Sequence, residues 1–127
     1  MPIFPPTKFV LDGQEYEFIR PERVGPVEDV KSWEMGNYPK VHARVPLKPG
    51  GTVWVYAHAT HWNRTQIHVQ WYDDEKDSLS AWLPKEDVRP VTNSDWDIDA
   101  YNRCPEWLRV VQWGAKFEHR LPGFLPL

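Results

Sequence analysis

The sequence predicts one small domain of the mostly-β class with minor α. Three observations carry this. Apolar and polar residues alternate with period two through much of residues 40–91. Thirteen prolines among 127 residues leave little room for long helices. Asp12-Gly13 lies between two short strand-like runs, a strong hairpin signal because this pair tolerates the positive φ of a tight turn. The length suffices for a single domain with a real core. The chain reads as one unit, 1–127, in three parts: residues 1–39, 40–91 and 92–127.

The elements follow in chain order. Residues 1–6 form a Pro-rich extended lead. Lys8-Phe9-Val10-Leu11 and Gln14-Glu15-Tyr16-Glu17-Phe18 are the hairpin arms, and Pro21 ends them. From Pro26 to Met35 the apolar spacing is helical, with Gly36 placed to close a short helix. Val41 to Val45 is a strand, and Pro49-Gly50-Gly51 a turn. Thr52 to Thr60 sets Val53, Val55, Ala57 and Ala59 on one face and Trp54, Tyr56, His58 and Thr60 on the other. Asn63-Arg64 suits a turn; with Thr65 it also matches a glycosylation acceptor, but a turn is the simpler reading. Ile67, Val69 and Trp71 share one face of the next strand, and the polar run Asp73 to Asp77 turns the chain. Leu79, Ala81 and Leu83 alternate again. Pro84 to Asp87 suits one helical turn, and Val88 to Val91 a closing strand. Ser94-Asp95-Trp96-Asp97 resembles a capping box that starts a short helix to about Asn102. Pro105 opens a second helical stretch, Glu106 to Trp113, with Gly114 as its stop.

The order of short strands in 40–91, with one helical turn before the last, resembles the small five-stranded antiparallel barrel of Tudor-like and Src-homology-3-like (SH3-like) domains. The resemblance rests on Val69-Gln70-Trp71-Tyr72-Asp73-Asp74 and on Ala81-Trp82-Leu83-Pro84-Lys85-Glu86-Asp87-Val88-Arg89-Pro90. It implies a closed or nearly closed barrel over residues 40–91 and no particular reaction; the alternation itself places Val53, Val55, Ile67, Val69 and Trp71 in the core, and the N-terminal hairpin and C-terminal short helices are attachments to it.

Charge and cysteine content narrow the function. Net charge is −3, and residues 40–91 carry seven basic against six acidic groups, so no segment advertises the basic face of a sequence-blind nucleic-acid binder. The single cysteine, Cys104, precludes an internal disulfide and fits a reducing, cytoplasmic setting. No apolar run is long enough to span a membrane, and the start does not resemble a signal peptide.

Trp54, Tyr56, Trp62, Tyr72 and Trp82 fall on the faces opposite the small aliphatic set. In Tudor-like domains such rings, with an acid, hold a methylated cation, and the resemblance implies Asp73 and Asp74 as the acids. The plainer expectation is that these rings pack beneath the hairpin and the C-terminal helices. His58, His61 and His68 lie close in sequence without a cysteine or a zinc-type spacing, and read as surface or hydrogen-bonded residues. Asp95, Asp97, Asp99 and Glu106 have the acid spacing of a calcium loop, but Ala100 stands where the turn needs Gly, so helix capping explains them better. Cys104 with His119 lacks any oxyanion motif. Neither catalytic residues, metal ligands nor a cofactor are therefore expected.

The expected function is a non-catalytic protein-interaction module, with a protein partner, a peptide or a host protein. The Trp-rich style resembles small proteins of actinobacteria and their phages, which implies a phage accessory protein. Alternatives are nucleic-acid binding, which requires Arg44, Lys48, Arg64, Lys85 and Arg89 to converge beside exposed rings, and a virion or assembly component. Apolar residues of both ends, Ile3, Phe4, Phe124, Leu125 and Leu127, are expected to be covered by the chain itself or by a partner.

Overall fold

A computed structural model of the chain describes residues 7–34, 38–91 and 98–105. The lead, the capping box at Ser94, the stretch from Glu106 and the tail lie outside the described residues. The protein is mostly β, built from antiparallel strands.

The hairpin pairs β1 (Lys8–Leu11) with β2 (Gln14–Glu17) in the expected register. Asp12 and Gly13 both take positive φ, 53° and 80°, which a two-residue turn of matching twist requires. The region read as a helix from Pro26 to Met35 is instead a single 3-10 turn, Val27–Asp29, followed by the two-residue strand β3 (Lys31–Ser32). No buried residue lies in that turn, so there was no apolar stripe to hold a longer helix against the body.

The main sheet contains β4 (Lys40–Pro46), β5 (Thr52–Trp62), β6 (Gln66–Tyr72), β7 (Ser78–Pro84) and β8 (Val88–Pro90). Its order is β7-β6-β5-β4-β8, with β3 also on β5. The 3-10 turn Lys85–Asp87 separates β7 from β8, where one helical turn was expected. The path ends at β7 and β8 without closing, so no closed barrel forms among the described residues. β5 is long enough to serve three partners. Its first part pairs with β4, and its last part with β6 and β3.

Period-two alternation gives this sheet one wholly apolar side. Val55, Ala57, Ala59, Ile67, Val69, Trp71, Leu79, Ala81 and Leu83 are all buried there, while Val53 is half-buried against them. The hairpin covers this side. Phe9 and Phe18 meet Trp71 edge-on, with ring centroids at 5.6 and 5.2 Å.

The alternation breaks once. A bulge between Ala59 and His61 adds a residue to β5, so that His61 pairs with His68 and Trp62 with Ile67. Trp62, expected on the outer face, is thereby turned to the core side and packs against Trp33 at 4.4 Å. A one-residue shift exchanges the faces of every residue beyond it.

The helix α1 (Ile98–Arg103) lies on the outer face, where Ala100 and Cys104 pack with Tyr38, Tyr56, Tyr72, Val91 and Tyr101. Arg103 bridges Asp12 at 2.7 Å and Asp74 at 3.0 Å, tying the helix to the hairpin turn.

Asp73 anchors the hairpin to the sheet. Its buried carboxylate accepts from the backbone N–H groups of Val10 (3.1 Å), Glu75 (3.0 Å) and Asp77 (2.9 Å). Truncating it leaves three donors without this acceptor. Asp73→Ala is expected to lower stability by about 2–4 kcal/mol in urea denaturation, because hydrogen bonds to a charged group are strong and their loss in a buried site is costly. A loss under about 0.5 kcal/mol would refute the anchoring role.

Candidate functional site

The outer face of β8, β4 and the first half of β5 carries a continuous row of rings and cations. Strand pairing dictates it: Arg89 lies opposite His42, His42 opposite Tyr56, and Arg44 opposite Trp54. Residues two apart on β5 share a face, so Trp54 and Tyr56 both reach the His42 ring, at centroid distances of 4.8 and 4.5 Å. The His42 and Tyr56 planes are stacked within 17°. Trp54 is 40% exposed, unusual for a residue that buries so much area when it can.

Two guanidinium groups stand over Trp54, Arg89 at 4.9 Å and Arg44 at 5.9 Å from its centroid. Arg44 is also paired with Asp87, its Nε donating to that carboxylate at 2.9 Å. Arg89 donates from Nη2 to His42 Nδ1 at 3.1 Å and has no carboxylate partner among the described residues. That bond places the neutral His42 proton on Nε2. Partial burial, and then Arg89, hold His42 below the usual histidine range. Beside this shelf lies a cleft of about 410 Å³ lined by His42, Tyr56, Arg89, Pro90 and Val91.

The seven residues expected at a site are thus dispersed. Trp54 and Tyr56 are together on the shelf. Trp62 is turned to the core side, and Tyr72 sits half-buried beside α1, where burial and Cys104 push its hydroxyl pKa up. Trp82 lies farther along the outer face, against His68 at 5.2 Å and His61 at 6.5 Å. Asp73 and Asp74 face the hairpin, not the rings. Asp74 accepts from the N–H groups of Asp12 and Gly13 at 3.1 and 2.8 Å. These two acids looked free because their partners lie more than sixty residues away. Arg44 and Arg89 are expected beside exposed rings only in the nucleic-acid alternative, and His42 not at all; cross-strand register brings all three to Trp54.

The three histidines differ in environment. His58 is buried beside its cross-strand neighbour Lys40, and His68 is half-buried. Burial first, and then Lys40, lowers His58 to about 3; burial, His61 and Arg20 lower His68 to about 4. Among the described residues, Asp73, Glu75 and Asp77 bring carboxylates within 4.8 Å of one another, but two Asp73 oxygens are already engaged by backbone N–H groups. No helix among the described residues is long and apolar enough to cross a membrane.

Comparison with protein-family models, with curated proteins and with solved structures finds no match to this chain.

A histidine whose folded pKa lies below its ordinary value of 6.5 favours the neutral form on folding. The unfolded chain then binds more protons below that value, so stability is complete above about pH 6.5 and declines as pH falls toward about 4 and 3. Each such histidine contributes a slope of up to about 1.4 kcal/mol per pH unit. Urea denaturation should show a loss of about 2–4 kcal/mol between about pH 7 and pH 5, and the slope should be shallower in His58→Gln. An identical slope in the variant would contradict the assignment.

Proposed function

We propose that this chain is a non-catalytic protein-interaction module on a partly open small barrel of the SH3-like, Tudor-like type, and that its shelf binds an extended acidic segment of a protein partner. The strand order β7-β6-β5-β4-β8, with a 3-10 turn before the last strand, supports the barrel reading. The observation that carries the binding reading is the exposed Trp54 ring beneath Arg89 and Arg44, next to an open cleft.

The sign of the charge selects the partner. A methylated-cation cage needs bare ring faces and a nearby acid. Here the protein's own guanidiniums occupy the vicinity of Trp54, and Asp73 and Asp74 are engaged elsewhere. An incoming ammonium would meet like charge, whereas a carboxylate would meet the planar fork of Arg89, which suits bidentate pairing. Flat rings on either side provide apolar contact for the chain carrying that carboxylate.

Nucleic-acid binding draws less support. Lys48 pairs with Glu17 at 3.8 Å and Arg64 with Asp29 at 3.5 Å, and of the other three, Arg44, Lys85 and Arg89, only Arg44 and Arg89 stand over the exposed ring among the described residues. Two such cations, one paired with Asp87, displace few counterions.

Binding of Asp/Glu-containing extended peptides by fluorescence anisotropy tests the reading. A peptide with Kd in the range of about 1–100 μM is expected, weakening at least about tenfold for Trp54→Ala and Arg89→Glu, with the fold retained. Binding unchanged in both variants, or a stronger response to trimethyl-lysine peptides or single-stranded DNA, would defeat it.

A further inference from the structure

A second cleft, remote in register from Trp54, lies between the segment after the hairpin and the β5–β6–β7 outer face. Two buried amides hold one end of that segment. Gln66 donates to Glu22 O at 2.9 Å and accepts from Val24 N at 2.7 Å, and Asn63 donates to Val24 O at 3.0 Å. At the other end β3 pairs with β5. Between these anchors the chain stands off the sheet and leaves about 250 Å³, lined by Arg23, Val27, Val30, His61, His68 and Trp82. Val27 lines this space and is still 63% exposed, so its apolar surface is not covered by packing among the described residues.

The bulge equips the cleft. By turning His61 outward it sets that ring across from His68, 5.7 Å between centroids. Thr60, the added residue, is buried with its hydroxyl between them: Oγ1 lies 2.7 Å from His68 Nδ1 and 2.9 Å from His61 Nδ1. A hydroxyl has one proton. If it donates to one imidazole, the other must donate to it. The alternative acceptor, the His68 carbonyl at 3.4 Å, is too long to compete. The rings are therefore held in opposite tautomers. At the Nε2 ends, one ring offers a bare lone pair and the other an N–H. Burial keeps both imidazoles below the usual range, so this neutral pairing persists at physiological pH.

We propose that this cleft binds a small planar heteroaromatic anion of the nucleotide class, with its ring against Trp82, one acceptor and one donor on His61 and His68, and its phosphate toward Arg23. Trp82 supplies the stacking face. Arg23 has no carboxylate partner among the described residues and supplies the charge; its Nη1 donates only to Gly25 O, at 3.1 Å. This site is independent of the acidic-peptide reading of the shelf.

Titration of the isotope-labelled full chain by NMR tests the proposal, with uridine monophosphate, adenosine monophosphate, uridine and inorganic phosphate as probes. Without ligand, the histidine ring nitrogens should report opposite tautomers for His61 and His68. Thr60→Ser should keep that signature and Thr60→Val abolish it. At least one of the two nucleotides should shift the Trp82 indole and both imidazoles saturably, with Kd of about 0.1–1 mM, and uridine should bind about tenfold more weakly. Arg23→Gln, at an exposed position, should weaken the nucleotide about tenfold without altering the fold. The proposal fails if neither nucleotide perturbs these rings, if phosphate alone reproduces the shifts, if both rings show one tautomer, or if Arg23→Gln binds as well as the parent.

Discussion

The Asp73 carboxylate is the junction on which the rest of the structure depends. It closes the β6–β7 turn through the Glu75 and Asp77 amides and holds the hairpin through Val10. The hairpin brings Phe9 and Phe18 over Trp71, covering the apolar side of a sheet that would otherwise expose it. Its neighbour Asp74 continues the connection to Asp12 and Gly13 and, through Arg103, to α1. Two consecutive acids thus join the hairpin, the sheet and the helix. An anion accepting backbone N–H groups suits this task because each tight turn leaves such donors without a strand partner.

With the inner side covered, display is left to the outer side. There the packing is uneven. α1 shelters Tyr56, Tyr72 and the neighbourhood of Lys40, while Trp54 remains exposed beside two arginines. The cations beside the ring make this face attractive to acidic groups, although the chain as a whole carries net charge −3. Local geometry, not net charge, sets the potential at this face.

One inserted residue divides this outer side. Before the Thr60 bulge, Trp54 and Tyr56 face outward. Beyond it, Trp62 turns inward and His61 outward. A bulge costs ladder hydrogen bonds locally, but it re-aims side chains without moving the strand out of the sheet. The result is a histidine pair around a buried hydroxyl, separate from the cation–aromatic shelf.

The sequence by itself determined the mostly-β class, the Asp12-Gly13 hairpin, the boundaries of the main strands and the buried set Val55, Ile67, Val69 and Trp71. These follow from local φ preferences and period-two alternation, which neighbouring residues encode. It showed that Trp54 and Tyr56 share a face, but not which cations join them. Tertiary structure alone decided the placement of Arg89 and His42, the inward turn of Trp62, the engagement of Asp73 and Asp74, and the replacement of an expected helix by a 3-10 turn and β3. Each depends on cross-strand register or on a partner distant in sequence. A bulge shifts register by one residue while leaving composition and propensity unchanged, so no local pattern announces it.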